Sequence, residues 1–136
     1  MKRSRKELKF TRSPSVKKRL INLSRSLGIT WIKANRLFVY SSTGSKTRAY
    51  ARTWGLPRLW QNSLKVTPAY IIEVISEHFG KLSEKDQDRV LLHELTHIPR
   101  NFSGALVPHT HRRKGSFRDK LQKLYEDYHS ARSKHG

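Results

Sequence analysis

Residues 93–97 constrain this chain more than any other segment, because two histidines stand four positions apart with a glutamate directly after the first. In an α-helix, residues i and i+4 project from the same face, so His93 and His97 can reach one point in space. Two such histidines with Glu94 beside them form a pattern typical of zinc-dependent peptide hydrolysis. The pattern predicts a metal site on a helix. The alternative is that both histidines are ordinary surface or core residues.

The residues around these histidines favour a helix. Ser83 is followed three positions later by Asp86, which reads as a capping box at the start of a helix. Pro99 cannot continue a helix and marks its end. An apolar stripe at helical spacing lies between these signals and consists of Leu91, Leu95 and Ile98. We therefore expect a helix over residues 84–98 that buries the stripe and presents the histidines on another face.

A catalytic zinc ion usually has three protein ligands and one water molecule, so the helix needs a third ligand from elsewhere. Since the chain has no cysteine, that ligand must be histidine or carboxylate. The loop after Pro99 carries two candidates, His109 and His111. We favour His109, because Gly104 and Pro108 are placed to turn the chain back towards the helix. His111 is kept as the alternative third ligand.

The chemistry that follows from such a site is the attack of water on a peptide bond. Zn²⁺ would lower the pKa of a bound water molecule and polarise the scissile carbonyl. Glu94 would take the water proton and pass it to the leaving amine. The sequence offers two candidates for the residue that stabilises the oxyanion, His111 and Tyr70, and does not decide between them. One zinc ion as cofactor and a peptide or protein as substrate are the corresponding predictions.

Positive charge is the second strong feature: 29 Lys and Arg residues against 10 Asp and Glu give a net charge of +19. Residues 1–25 have ten basic and one acidic side chain, and residues 100–136 have nine and three. Such ends are expected to bind the phosphates of nucleic acid or of a ribonucleoprotein. The alternative is a basic surface that only keeps the protein soluble. The expected phosphate-binding residues are Lys2, Arg3, Arg5, Lys6, Lys9, Arg12, Lys17, Lys18, Arg19, Arg112, Arg113 and Lys114.

Helical and strand patterns predict the rest of the fold. Pro14 and Gly28 bracket a helix, and residues 117–131 carry an apolar stripe that predicts a C-terminal helix. Residues 37–40 and 49–54 are expected to form a β-hairpin. The expected fold is α+β and zincin-like, with an N-terminal helix, a small, mostly antiparallel sheet of about three strands, the metal helix and a closing helix.

The strongest strand signal covers residues 69–75, which are β-branched and aromatic. If this strand lies at a sheet edge, an extended peptide could pair beside it in front of the metal. Glu73 is expected to be a solvated carboxylate on its half-exposed side. Trp54 and Trp60 are expected to be core or interface residues rather than platforms for stacked bases.

Length and composition predict one soluble domain. The chain has 136 residues, and no apolar run approaches the roughly 18 residues that a membrane span needs. We divide it into a basic N-terminal extension, residues 1–12, and a zincin-like domain, residues 13–136. The basic start lacks the apolar segment of a signal peptide, so a cytoplasmic location is expected.

These motifs, taken together, resemble a family of small metallopeptidases found mainly in archaea. The resemblance covers residues 48–125 and rests on residues 93–99 (HELTHIP), Phe102-Ser103-Gly104, Pro108-His109, residues 54–61 (WGLPRLWQ) and residues 70–74 (YIIEV). It implies a minimal zincin fold distantly similar to SprT-like proteases. It also implies His93, His97 and His109 as zinc ligands and Glu94 as the general base. The basic leader lies outside the resemblance.

Two functions are consistent with these features. In the first, the chain is a zinc peptidase that its basic ends recruit to proteins bound to nucleic acid. In the second, it is a ribosomal or other ribonucleoprotein component built on a metallopeptidase scaffold, with little or no catalysis. Glu94 favours the first, because a purely structural zinc site has no use for a general base.

Overall fold

The computed structural model describes residues 7–108, Lys123 and Glu126, and residues 7–108 form an α+β fold. This part of the chain has four strands: β1 (Lys9–Arg12), β2 (Leu37–Thr43), β3 (Ala51–Gly55) and β4 (Tyr70–Ile75). It has four α-helices: α1 (Pro14–Ser26), α2 (Arg58–Leu64), α3 (Ser76–Phe79) and α4 (Glu84–Leu95). A 3-10 turn covers Ala34–Arg36. The predicted α+β class is confirmed, with four strands where about three were expected.

The four strands form one sheet in the order β1-β2-β4-β3. β2 and β4 are parallel, and the two outer pairs are antiparallel. The predicted hairpin between β2 and β3 is wrong, because β4 lies between them. Five of the six residues of β4 are buried, and a strand that is apolar on both sides is most stable at the centre of a sheet. The suggestion that β4 is an edge strand is therefore wrong as well.

The edge positions belong to β1 and β3. β1 comes from the basic leader, and all four of its residues are exposed. It pairs with β2 in the register Lys9↔Thr43 to Arg12↔Tyr40. The sequence pattern did not predict this strand because β1 buries no side chain. Its Lys and Arg suit an edge, since charged side chains discourage pairing with other chains.

The core lies between the sheet and two helices. From α1 it includes Leu20 and Leu23, and the predicted stripe of α4, Leu91 and Leu95, is also buried. The strands contribute their alternate side chains, among them Val39, Ile72 and Val74. We call the side of the sheet that faces α1 and α4 the inner face, and the opposite side the outer face. The outer face carries exposed Phe10, Trp54 and Ile71. Trp54 and Trp60 were expected in the core or at an interface; both are exposed, so the core location is wrong, and the interface stays a prediction.

The helix signals are mostly confirmed. Pro14 starts α1, and Gly28, with φ of 72°, follows its end. At α4, the Ser83 hydroxyl accepts a hydrogen bond from the Asp86 amide at 3.2 Å. The expected end of α4 at residue 98 is wrong, because the α-helix stops at Leu95. Ahead of Pro99 the chain tightens into a turn, in which each amide bonds to the carbonyl three residues earlier.

The C-terminal part of the chain was expected to hold a helix over residues 117–131. Lys123 and Glu126 are helical, and the rest of that range lies outside the described residues. In the described part of the chain, no helix has both the length and the apolar character needed to cross a bilayer.

Candidate metal centre

The end of α4 brings His93, Glu94 and His97 together. One possible ligand atom from each of these side chains lies within 4.8 Å of the others. The two imidazole rings have centroids 5.1 Å apart and are inclined at 82°. His97 lies just beyond the last residue of α4, and the tightened turn keeps it next to His93: its amide bonds to the Glu94 carbonyl at 3.1 Å. The donor set is therefore two imidazole nitrogens and one carboxylate, which suits a divalent transition metal.

The imidazole of His97 is held by the loop that follows α4. Its Nδ1 lies 2.7 Å from the carbonyl oxygen of Val107, and the Val107 amide donates to the His97 carbonyl at 2.8 Å. A carbonyl can only accept, so Nδ1 carries the proton and Nε2 has the lone pair that a metal requires. This backbone partner is a contact that the sequence motif alone did not identify.

The carboxylate of Glu94 is buried between α4 and the edge strand β3. Its Oε1 lies 3.0 Å from the hydroxyl of Thr53, which is also 3.1 Å from the Glu94 main-chain carbonyl. Thr53 is in β3, on the inner face of the sheet. The hydroxyl has one proton to donate, so it anchors either the side chain or the end of the helix. Sequence reasoning missed Thr53, because it is 41 residues away from Glu94.

The loop between Pro99 and Val107 is fixed by two side chains from other elements. Gln61, in α2, donates from Nε2 to the carbonyls of Leu56 and Ser103 at 2.8 and 2.9 Å. Tyr70, in β4, donates its hydroxyl proton to the Ala105 carbonyl at 2.7 Å. Both residues lie in segments that carried the family resemblance, and that was the available signal for them.

The Tyr70 hydroxyl also accepts a hydrogen bond from the Gly104 amide at 2.8 Å. Burial raises the pKa of Tyr70 above its ordinary value, although the Gly104 hydrogen bond acts in the opposite direction. The hydroxyl therefore stays protonated and its hydrogen bonds hold the loop. Because these bonds use the hydroxyl proton, Tyr70 is not placed to stabilise an oxyanion.

Two glycines allow this loop to approach β3 closely. A methyl group on Gly55 would overlap the Gly104 carbonyl oxygen, and one on Gly104 would overlap the Leu56 carbonyl and the Gln61 side chain. Gly104 also has φ of 95°, a conformation that other residues rarely adopt. Larger residues at these positions would push the loop away from the metal centre.

A cavity of about 310 Å³ opens beside the centre. His93 and Glu94 form part of its wall, and the other lining residues are Tyr50, Ala51, Arg89 and Val90. The cavity lies between the beginning of β3 and the middle of α4. It is large enough for one amino-acid side chain next to the Glu94 carboxylate.

The remaining candidate residues fall into two groups. Those outside the described part of the chain are the ligand candidates His109 and His111 and the basic residues Lys2, Arg3, Arg5, Lys6, Arg112, Arg113 and Lys114. The described basic candidates are Lys9, Arg12, Lys17, Lys18 and Arg19, and Lys9, Arg12 and Lys18 are exposed.

Arg19 has a structural partner. Its Nη2 lies 2.7 Å from Oδ1 of the buried Asp88, and its Nη1 donates to the Gln87 side chain at 2.8 Å. It also donates to the main-chain carbonyl of Glu84 at 3.0 Å. Arg19 therefore joins α1 to α4, the helix that carries the metal centre.

Comparison with known proteins identifies a family. No curated protein and no solved structure matches the chain. The profile of a family described as "Putative phage metallopeptidase" matches residues 8–129, which is most of the chain and includes the metal centre. The donor cluster of His93, Glu94 and His97 agrees with that description, since a metallopeptidase needs a bound metal ion. The chain therefore belongs to the putative phage metallopeptidase family.

Proposed function

We propose that this protein is a zinc-dependent peptidase whose catalytic base is Glu94. The observation that carries the proposal is the convergence of His93, Glu94 and His97 within 4.8 Å. It is supported by the Val107 carbonyl, which sets the tautomer of His97 that a metal can bind. Imidazole ligands without any cysteine suit zinc, and the spacing of the two histidines is the one that zinc peptidases use.

The zinc ion would be held by His93, His97 and a third histidine, for which His109 is proposed and His111 is the alternative. Val107 is joined to His97 by two hydrogen bonds, so the chain passes close to the metal centre just before these residues. Two residues span at most about 7 Å, which keeps His109 near that point, whereas four residues from Val107 to His111 span about twice as much.

The bound ion would supply a Lewis acid that lowers the pKa of water and polarises a carbonyl. Glu94 would accept the proton of the attacking water on its carboxylate and donate it to the leaving nitrogen. Thr53 would orient that carboxylate through Oε1, because its hydroxyl lies 3.0 Å away. Burial of Glu94 keeps bulk water from competing for this proton.

The substrate would be an extended segment of peptide that pairs with β3. Among residues 7–108, β3 has β4 on one side and no strand on the other, and its Thr53 contacts Glu94. A peptide on the open edge would gain main-chain hydrogen bonds and pass in front of the metal centre. The cavity beside His93 would then receive one substrate side chain.

The test compares Glu94→Gln with the parent protein. The variant should retain one zinc ion per chain, measured by elemental analysis, because Gln keeps the shape of the side chain. It should lose at least about a hundredfold in the rate of cleavage of an unfolded protein such as casein, because general-base catalysis contributes about 10²–10⁴-fold.

Glu84→Gln is the matched control, since Glu84 is an exposed glutamate at the other end of the same helix. It should leave both zinc content and cleavage unchanged. Equal cleavage by Glu94→Gln and the parent would exclude Glu94 as the base. A parent protein that binds no zinc would refute the proposal as a whole.

We also propose that the protein acts near nucleic acid or a ribonucleoprotein, in the cytoplasm. The charge of +19 supports this, because so basic a chain attracts phosphates at ordinary salt concentrations. A ribosome-associated role with little catalysis is the alternative function. The likeness to archaeal relatives and to SprT-like proteases remains what the sequence resemblance implies.

A further inference from the structure

The outer face of the sheet carries three rows of side chains that no part of the peptidase proposal uses. Residues paired in register lie side by side, so each row crosses the sheet. The first row is Phe38, Ile71 and Trp54; the second is Arg12, Tyr40, Glu73 and Arg52; the third is Phe10, Ser42 and Ile75. Strands β1, β2 and β3 contribute the aromatic residues and arginines of these rows, whereas β4 contributes Ile71, Glu73 and Ile75.

The aromatic side chains of this face are accessible. Phe10 is 58% exposed and Trp54 is 49% exposed, while Phe38 and Tyr40 are half-buried. A cavity of about 410 Å³ lies among Phe10, Tyr40, Trp54 and Ile71. Exposed aromatic side chains in such a cluster indicate a binding surface, because single scattered ones are the normal case on a protein surface.

Arginines stand over these rings. The guanidinium carbon of Arg12 is 5.9 Å from the ring centroids of both Phe38 and Tyr40. Arg36 is 5.9 Å from Phe38. Arg52 is 5.1 Å from Trp54. Arg36 donates to the main-chain carbonyls of Thr67 and Pro68, so Arg12 is the arginine best placed to contact a phosphate while it stays beside its aromatic partners.

Glu73, the carboxylate that the four described strands place on this face, is neutralised within the sheet. Glu73 accepts a hydrogen bond from Trp54 Nε1 at 2.9 Å and lies 3.3 Å from the guanidinium of Arg52. These contacts fix the plane of the Trp54 ring, and they remove the repulsion that a lone carboxylate would exert on phosphates. A rigid aromatic ring loses little entropy when a base stacks on it.

We propose that the outer face binds single-stranded nucleic acid, with bases stacked on Phe10, Tyr40 and Trp54 and phosphates contacted by Arg12. The sheet is about 14 Å wide at the usual strand spacing of about 4.8 Å, and a four-stranded sheet of this kind holds two or three bases. A single strand fits better than a duplex, because only unpaired bases offer their faces for stacking.

The charge of the chain favours nucleic acid, and not a second copy of the same protein, as the partner that binds this face. Two chains that each carry +19 repel each other, whereas a polyanion is attracted. The proposal is independent of the metal centre, since Glu94 and Thr53 lie on the inner face. A peptidase that fails the zinc test could still bind nucleic acid here.

The test measures the binding of fluorescein-labelled oligothymidylate of about 12 nucleotides, a length within the range of single-strand binding sites, by fluorescence anisotropy. Tyr40→Leu and Trp54→Leu keep an apolar side chain but remove the aromatic ring. Each should weaken binding by about tenfold or more, because stacking contributes that much per base. A duplex of the same length should bind more weakly than the single strand.

Trp60→Ala is the matched control, because Trp60 is a tryptophan of similar exposure, 58%, that belongs to α2. It should leave oligothymidylate binding within about twofold of the parent. Casein cleavage by Tyr40→Leu should also be unchanged. Two variants are used so that the test survives if Trp54→Leu does not fold.

Three results would overturn the proposal. Unchanged binding by both leucine variants would show that bases do not stack on this face. A dimer in sedimentation that Tyr40→Leu dissociates would identify a second copy as the occupant. A photo-crosslinker in place of Phe38 that reacts with residues 109–136 of the free protein would show that the chain covers the face itself.

Discussion

Glu73 shows how a single carboxylate is kept charged in the interior of this sheet. Burial alone would raise its pKa, but hydrogen bonds from neighbouring side chains and the positive charge of Arg52 lower it by more. The net effect places the pKa below the ordinary value of 4.5. The side chain is 2% exposed, so the solvated carboxylate expected from the sequence is wrong. The sequence did not predict that Glu73 is buried, because its partners Arg52 and Trp54 lie on another strand.

The first prediction follows from that lowered pKa. A carboxylate with a lower pKa in the folded state stabilises the fold above its unfolded pKa, and this contribution is lost as the pH falls through the folded value. We expect Glu73→Gln to be less stable than the parent at pH 7. This difference should shrink when the pH falls from about 5 to about 3. Urea unfolding of the variant and the parent at about pH 5 and about pH 3 measures this difference in stability.

Glu77 is unsuitable as a control for that experiment, because it accepts a hydrogen bond from the Gly44 amide. Exposed Glu84 is better, and Glu84→Gln should show no comparable change between the two pH values. If the stability difference for Glu73→Gln grew on acidification, the folded pKa of Glu73 would have to be raised, and the account of its partners would be wrong.

Sequence reasoning could identify the proposed metal ligands and base, but it could not identify the contacts that support them. The i, i+4 spacing predicted that His93 and His97 converge, since helical geometry follows from spacing alone. The contacts of Thr53 and the Val107 carbonyl depend on how β3 and the loop fold back on α4. Trp54 was misplaced for a related reason, because an aromatic residue in a strand pattern does not show which face of the sheet is covered.

At the scale of elements, the metal centre depends on a loop attached to three different elements. Gln61 attaches it to α2, Tyr70 attaches it to β4, and Val107 attaches it to His97 at the end of α4. α2 follows directly after β3, and in the sequence its segment stood out only through the family resemblance, as part of residues 54–61. Its role becomes visible only when the sheet order is known.

The second prediction concerns Tyr70→Phe. The substitution removes a hydroxyl that accepts from the buried Gly104 amide and donates to the carbonyl of the exposed Ala105. The Gly104 amide would lose its partner in the interior, so unfolding should become easier by about 1–3 kcal/mol. Because the same loop holds His97, zinc affinity should fall by about tenfold, as is typical for residues that support metal ligands.

Urea unfolding of the zinc-free protein and competition with a zinc chelator separate these two effects. Tyr40→Phe is the matched control, because the Tyr40 hydroxyl accepts a hydrogen bond from Arg12 at an exposed position. It should change stability by less than about 0.5 kcal/mol and leave zinc affinity unchanged. A Tyr70→Phe protein with the affinity of the parent would show that the loop does not position the metal ligands.

The element order also shows how far local patterns reach. Helices α1 and α4 were predicted, because Pro14, the Ser83 cap and apolar spacing are local signals. The pairing of β2 with β4 joins residues about 30 positions apart, and a turn-rich segment after β2 suggested a hairpin instead. The pairing of β2 with β4 follows from the burial of β4 on both faces. Local sequence patterns do not show this burial, because it arises only in the assembled sheet.

At the scale of the whole molecule, most of the positive charge and the metal centre lie in different parts of the sequence. The segment that carries the metal centre, residues 26–99, has ten basic and six acidic side chains, so most of the net charge of +19 belongs to the two ends. Part of the N-terminal end belongs to the sheet, since Lys9–Arg12 forms β1 and contributes Phe10 and Arg12 to the outer face. The basic leader is therefore continuous in sequence with the proposed stacking surface.

This continuity changes how the basic leader has to be tested. Deletion of residues 1–12 would remove β1 and expose the edge of β2, so weaker binding could result from a damaged sheet. Substitution of the four cations that precede β1, Lys2, Arg3, Arg5 and Lys6, by glutamine leaves the strand in place. The effect of charge is then measured on an intact fold.

The last prediction is that this fourfold variant binds oligothymidylate with a weaker dependence on salt. Each cation that contacts a phosphate of a single strand contributes about 0.7 to the slope of log affinity against log salt concentration. The slope should therefore fall by up to about 3, while cleavage of casein at low salt should not change. The matched control replaces four exposed lysines of the central segment, Lys46, Lys65, Lys81 and Lys85, by glutamine. An equal fall in slope for both variants would mean that the protein attracts nucleic acid through its total charge and not through its N-terminal end.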